Sequence, residues 1–166
     1  MILIEPTIQA RFGRALRRRT LAVILRQACE AVRLYGDVSV LLTSDAHLRR
    51  LNLEFRHKDC STDVLSFPAP ESLNGHRGMA GDLAISVETA ARQAEERAHP
   101  LATELQILIL HGLLHLAGYD HEADHGKMAR KEATLRRRFG LSEGLIERSA
   151  NPAPKNKSTL RRSGKP

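Results

Sequence analysis

Three histidines at positions 111, 115 and 121 are the residues of this chain best suited to chemistry, because they follow an H-x3-H-x5-H pattern. His111 and His115 are four residues apart in a segment predicted to be helical, so both imidazoles lie on one helix face. Gly118 follows where a left-handed glycine can end the helix and turn the chain back. Three imidazoles with one open coordination position are typical of a catalytic zinc site. We therefore expect His111, His115 and His121 to hold one metal ion per chain, with Zn²⁺ as the first candidate, although imidazoles also suit nickel, copper and iron.

Gly112, the residue after the first histidine, limits the class of reaction that such a metal site can catalyse. Metzincin proteases share this histidine spacing, but they carry a glutamate general base where this chain has Gly112. Glycine cannot accept a proton, so peptide hydrolysis by that route is not expected. Three neutral imidazoles also leave the ion with its full charge, which favours an anionic substrate such as a phosphodiester. Asp120 is near enough in sequence to act as a base or to orient a ligand histidine, and His125 is expected at the surface or behind the ligands.

A second polar stretch runs from Arg56 to Asp63 and leads into a predicted strand. Its cations, among them Arg56 and Lys58, precede a Thr62-Asp63 turn. Taken alone the stretch is open to a structural interpretation, in which Thr62 and Asp63 order the turn and Arg56 is solvated.

Positive charge is concentrated in two parts of the chain, although the net charge is only +7. Residues 148–166 contain six basic residues and no acid, and residues 11–35 contain seven arginines and one glutamate. Clustered positive charge indicates a polyanionic partner, most simply nucleic acid. Because aromatic residues make up only 4% of the chain, we expect recognition of the nucleic-acid backbone more than base stacking.

Length and composition indicate one domain, which we place at residues 1–147, followed by a basic and disordered tail at 148–166. No apolar run is long enough to span a bilayer, and the apolar residues of the N-terminus precede its basic ones, unlike a secretory signal. Cys29 and Cys60 form no disulfide framework. These features favour a cytoplasmic protein with no membrane partner.

Hydrophobic periodicity predicts four short strands among five or six helices, which is typical of an α+β fold with one sheet. Strands are expected in 2–8 (an edge strand at best), 38–42, 64–67 and 83–87, helices over 11–34, 45–55, 88–99, 100–116 and 122–139, and a surface loop over 68–81.

Three sequence blocks together resemble the YbeY-type endoribonucleases, the bacterial rRNA maturation factors. They are Arg56 with the segment TDVLSFP at 62–68, GDLAIS at 81–86 and HGLLHLAGYDH at 111–121. The blocks occur in the family's order and cover roughly residues 38–140. A proline commonly precedes the threonine in this family, whereas this chain has Ser61.

The resemblance implies a mixed four-stranded sheet packed with helices and a zincin-like site in which His111, His115 and His121 hold zinc. It further implies that Arg56 is a functional, catalytic residue. The expected activity is zinc-dependent, single-strand-specific cleavage of RNA, acting in 16S rRNA 3′-end maturation and ribosome quality control in the cytoplasm. The partners would be single-stranded RNA, the 16S rRNA precursor and the ribosome, with Arg56 and Lys58 binding phosphate.

Two other functions remain open on the sequence. A metalloprotease with an atypical base is suggested by the histidine spacing, although Gly112 argues against it. A non-catalytic RNA-binding ribosome assembly factor, in which a metal only stabilises the fold, is suggested by the two basic segments.

Overall fold

The computed structural model describes residues 1–70, 78–121 and 124–141, and this part of the chain forms four strands and six helices. The strands are β1 (Ile2–Ile4), β2 (Asp37–Thr43), β3 (Val64–Pro68) and β4 (Met79–Ser86). The helices are α1 (Pro6–Phe12), α2 (Arg18–Val32), α3 (Asp45–Arg56), α4 (Val87–Glu96), α5 (Leu101–Leu116) and α6 (Lys127–Arg138). None of these helices has both the length and the apolar character that a membrane crossing requires.

The four strands form one mixed sheet in the order β1-β2-β4-β3. Strands β1, β2 and β4 run parallel to one another, and β3 runs antiparallel to β4 at the edge of the sheet. The α+β class with a single four-stranded sheet is thereby confirmed.

Helices cover both faces of the sheet. The larger core lies between the sheet and helices α2, α5 and α6, and α5 is buried along nearly its whole length. On the opposite face, α3 packs against the sheet through a small cluster of Leu48, Leu65 and Ala84. The side chains of β3 alternate between these layers, so that Val64 packs toward α5 while Leu65 and Phe67 pack toward α3.

The predicted helix over 11–34 is wrong at its beginning. The structure has a short helix α1, a break, and then α2 from Arg18. Arg17 precedes α2 with a left-handed backbone (φ 46°), and Leu16 in the break is buried with only 1% of its surface exposed. Burial of Leu16 in the core therefore outweighs the helical periodicity that the sequence shows there.

Strand β4 begins at Met79, four residues earlier than predicted, because it pairs with β2 from Asp37 onward. The first strand is an edge strand, as predicted, and Pro6 begins α1 after it. The last helix begins at Lys127 instead of 122. Residues 71–77 of the predicted 68–81 loop, and the predicted tail at 148–166, lie outside the described residues.

Candidate metal centre

Helix α5 lies close to the sheet at Gly112. A Cβ atom on this residue would lie 2.7 Å from Leu83 Cδ2 and 3.3 Å from Ser66 Oγ. The hydroxyl of Ser66 donates a hydrogen bond to the carbonyl oxygen of Gly112 over 3.3 Å. The glycine therefore allows close packing of α5 on the sheet, and a larger side chain there would require Leu83 to move.

The three predicted ligand histidines converge. Each offers one nitrogen to a cluster whose ligand atoms all lie within 4.8 Å of one another. The Nε2 atoms of His111 and His115 are 3.1 Å apart, close to the separation of about 3.3 Å that two imidazoles have on a tetrahedral zinc ion. His111 is buried, His115 half-buried and His121 exposed, so the cluster opens to solvent on one side.

The turn after α5 brings His121 back to the helix. The N–H groups of Gly118 and Tyr119 donate to the carbonyl oxygens of His115 and Leu114. Gly118 has a φ of +85°, and nothing lies within 4 Å of where its Cβ would be. The glycine is needed for its left-handed backbone and not for space, as predicted from the sequence.

Burial lowers the pKa of His115 to about 4, and the neighbouring rings of His111 and His121 act in the same direction. A backbone hydrogen bond at Tyr119 and the charge of Asp120 oppose this effect but do not cancel it. His115 is therefore neutral near pH 7, which is the form that binds a metal ion. The nitrogen set, its convergence and its protonation state fit a divalent transition metal.

Glu132 of α6 supports the first histidine from behind. Its Oε2 atom lies 3.3 Å from Nδ1 of His111, and the carboxyl is almost fully buried. A carboxylate in this place accepts the Nδ1–H and leaves Nε2 free to face His115. Asp120 lies in the cleft beside the cluster.

Arg56 reaches the cleft from the last residue of α3. Its Nη2 donates to the carbonyl oxygen of Ser66 over 3.3 Å. Ser66 thus contacts Arg56 through its backbone and Gly112 through its hydroxyl, and it joins α3 to α5 across the edge strand.

The loop after Arg56 is fixed to α3. His57 takes a left-handed conformation (φ 56°) that ends the helix. Arg49 forms a two-pronged ion pair with Asp59 at 2.6 and 2.8 Å, and Asn52 donates to the carbonyl of Cys60. Lys58, between these anchors, is thereby held at the cleft.

The Thr62-Asp63 turn has the structural role that the sequence permitted. Asp63 accepts hydrogen bonds from the backbone N–H of Val64 and from the amide of Gln93, at 2.9 and 3.1 Å. Thr62 donates to the carbonyl oxygen of Val64 over 3.4 Å. Both residues also line the cleft.

The histidine cluster, Asp120, Arg56, Lys58 and the Thr62-Asp63 turn line one cleft of about 440 Å³. Every residue that the sequence singled out as a metal ligand or as a phosphate-binding group lies in its wall: Arg56, Lys58, His111, His115 and His121. His125 lies outside the cluster, with an exposed side chain and a carbonyl that accepts from Arg130. An all-nitrogen metal cluster facing two cations can bind and polarise an anionic substrate.

Sequence reasoning missed Glu132 and Ser66. A signal for Glu132 exists, since it is the single acid of the strongly basic segment 127–138. It also falls on the buried face of α6 with Met128 and Leu135. An acid on the apolar stripe of a basic helix indicates a buried partner. Ser66 gives no comparable signal, because its role depends on how the sheet and α5 are packed.

Comparisons with known proteins agree with this geometry. The family model described as Endoribonuclease YbeY matches residues 7–140. The endoribonuclease YbeY of Koribacter versatilis is 50% identical over 137 residues, covering 82% of this chain and 87% of that protein. That of Solibacter usitatus is also 50% identical, over 79% of this chain and 90% of its own length.

Among solved structures, the solution structure of TM1509 from Thermotoga maritima is similar, with a TM-score of 0.50 and 27% identity. The match covers 97% of this chain and all of that one. With a family model spanning most of the described fold and relatives at half identity, the chain belongs to the YbeY endoribonuclease family.

Proposed function

We propose that this protein is a zinc-dependent endoribonuclease that cleaves single-stranded RNA, with His111, His115 and His121 holding one Zn²⁺. The observation that carries the proposal is that three converging imidazoles share one cleft with Arg56 and Lys58. Membership of an endoribonuclease family supports the same reaction class.

The donor set favours zinc, because three imidazole nitrogens suit a borderline-soft ion that keeps one position open. Zinc at such a site supplies a Lewis acid that polarises a phosphoryl oxygen and makes water a stronger nucleophile near neutral pH. Glu132 holds the ring of His111 in place through Nδ1 and fixes which nitrogen faces the ion.

Arg56 is the group proposed to bind the scissile phosphate. A guanidinium can donate to two oxygens of a phosphate at once and is always charged. Its hydrogen bond to the carbonyl of Ser66 holds it at the cleft before RNA arrives, so little ordering is required on binding. Lys58 adds a second positive charge for a neighbouring phosphate.

Gly112 supports RNA over peptide as the substrate. A protease of the same histidine spacing needs a glutamate at this position, and a side chain there would have to displace Leu83, whose Cδ2 lies 2.7 Å from the Cβ position.

For the cellular role we propose 3′-end maturation of 16S rRNA and quality control of ribosomes in the cytoplasm. The resemblance of the three sequence blocks to bacterial rRNA maturation factors supports this assignment, as does the basic character of the chain, with a net charge of +7.

The test is metal-dependent cleavage by the purified full-length protein. Zinc content is measured by elemental analysis, and cleavage is followed on a single-stranded RNA and on the same strand in a duplex. The wild type is expected to bind one zinc and to cut the single strand preferentially. His115→Ala is expected to lose both, whereas His125→Asn, outside the cluster, retains both.

The outcome also separates the alternatives. Metal-dependent peptide hydrolysis with no action on RNA would establish a protease instead. Salt-sensitive RNA binding without cleavage, under any metal condition, would establish a non-catalytic assembly factor.

A further inference from the structure

An exposed aromatic side chain directly precedes the cleft residue Arg56 in the sequence. Phe55, next to Arg56 at the end of α3, has 58% of its surface exposed. Burying such a side chain against a ligand is favourable. Phe55 is therefore an apolar surface available to a ligand bound at Arg56.

A second phenylalanine supports the first. The rings of Phe55 and Phe67 meet edge to face, with centroids 5.2 Å apart and planes inclined by 70°. Phe67 is half-buried against the small core of Leu48, Leu65 and Ala84. The pair is therefore anchored through Phe67, and Phe55 is the exposed member.

Both phenylalanines adjoin residues of the cleft. Phe55 precedes Arg56, and Phe67 follows Ser66, whose carbonyl accepts from Arg56. Alternation along β3 puts Ser66 on the α5 side and Phe67 on the α3 side. The aromatic pair thus lies on the α3 side of the edge strand, and the histidine cluster lies on the α5 side. Arg56, adjacent to Phe55 in the chain, lines the cleft.

We propose that Phe55, supported by Phe67, is a stacking platform for one unpaired base of the RNA that occupies the cleft. This inference rests on the proposed endoribonuclease function. In a nucleotide only the sugar separates the phosphate from the base, so a phosphate at Arg56 brings an adjoining base within reach of Phe55. Stacking on aromatic side chains is the common way in which proteins bind single-stranded RNA without reading its sequence.

The platform also accounts for selection of single strands. A base in a duplex is stacked and paired and cannot lie on a protein ring, whereas an unpaired base can. The low aromatic content of the sequence predicted recognition of the backbone more than base stacking. The proposed platform adds the stacking of one base next to the cleft.

The experiment is abasic scanning of a short single-stranded RNA against the full-length protein. Equilibrium binding is measured with the metal withheld, and cleavage is measured after zinc is added. For the wild type, removing the base that stacks on Phe55 is expected to weaken binding about 10-fold. Phe55→Ala should bind intact and abasic RNA alike and lose much of its preference for single strands over duplex. Phe55→Trp should keep the abasic effect.

Tyr35→Ala is the matched control, since Tyr35 is an aromatic residue with 72% of its surface exposed in the turn before β2. It should behave as the wild type. Thermal unfolding of each variant checks that the fold is retained. An unchanged abasic penalty in Phe55→Ala overturns the platform and leaves the nuclease assignment standing. Absence of RNA binding and cleavage in the wild type overturns the proposed function and the platform with it.

Discussion

The hydroxyl of Ser66 donates to the carbonyl oxygen of Gly112 over 3.3 Å, and so joins the edge strand of the sheet to the helix that bears two of the clustered histidines. The carbonyl of Ser66 accepts from Arg56 on its other side. One residue of β3 therefore sets the relative position of the arginine and the metal centre, two groups from different layers of the fold.

Replacement of Arg56 should separate binding of metal from cleavage of RNA. Arg56→Ala is expected to lower kcat by about 100-fold or more, because a donor aimed at developing phosphate charge is lost. Zinc content should be unchanged, since no ligand is altered. Arg56→Lys should recover only part of the rate, because an ammonium group lacks the planar pair of N–H donors with which a guanidinium binds two phosphate oxygens at once. Single-turnover cleavage and elemental analysis measure the two quantities, and Arg50→Lys on the same helix is the control.

Glu132→Gln should weaken the metal site without removing a ligand. The amide keeps the size of the side chain but accepts less strongly from His111, so zinc affinity is expected to fall about 10- to 100-fold. Competition with a chromophoric chelator measures the affinity directly. Thr134→Ala, at an exposed position of the same helix, should have no effect. Equal zinc affinity in Glu132→Gln and wild type would show that the carboxylate only fills space.

A side chain at position 112 should destabilise the fold. Gly112→Ala gains about 1 kcal/mol in helix propensity but pushes its methyl group against Leu83 and Ser66, at a cost of about 1–3 kcal/mol. We expect a net loss of stability in chemical denaturation. Gly112→Glu should be worse still and should gain no peptidase activity. Peptide cleavage by this variant would contradict the packing argument.

Asp45 should make stability depend on pH in the acid range. Burial alone would raise the pKa of its carboxyl, but hydrogen bonds from Ser86, Thr89 and Arg92 outweigh burial and lower the pKa to about 2. The donors include Thr89 Oγ1 at 2.7 Å and Arg92 Nη1 at 2.9 Å. A carboxyl with a depressed pKa stabilises the fold above its unfolded pKa, and this contribution is lost as the pH falls from about 4 to about 2.

The Asp45→Asn variant isolates this contribution. At pH 7 its free energy of unfolding should be lower than that of the wild type by about 1 kcal/mol, a value reduced for solvent screening of the partly exposed pair. The difference should shrink as the pH falls below about 4 and reach its minimum only below pH 2, because the folded carboxyl is still half ionised at its pKa of about 2. Urea denaturation over a pH series measures it, and a constant difference at all pH values would contradict the assignment.

The histidine cluster could be predicted from the sequence because its geometry depends only on residues that are close together in the chain. The spacing of His111 and His115 and the turn at Gly118 follow from helix geometry over eleven residues. The helix boundaries of α3 and α5 followed likewise from Ser44 at one N-terminus and Gly118 beyond the other helix's end. The class of fold followed from counting strands and helices.

What the sequence did not predict depends on contacts between distant segments. Glu132 meets His111 across 21 residues, through the packing of α6 on α5. Phe55 meets Phe67 only because α3 lies over β3. The early start of β4 and the break before α2 were decided by pairing with β2 and by burial of Leu16. In each case tertiary packing overrides or extends a local pattern.

Strand β3 is an edge strand, because it pairs with β4 on one side and, among the described residues, with no strand on the other. The outer backbone groups of such a strand can pair with other chains, which leads to aggregation. Its residues alternate, so that Asp63 and Ala69 pair with β4 while Val64, Ser66 and Pro68 direct their backbone groups outward. Asp63 and Thr62 satisfy both groups of Val64, Arg56 satisfies the carbonyl of Ser66, and Pro68 has no N–H to offer. Residues that line the cleft thus also satisfy the outer backbone groups of this edge strand. Arg56→Ala is therefore expected to make the protein aggregate more readily, in addition to lowering its catalytic rate.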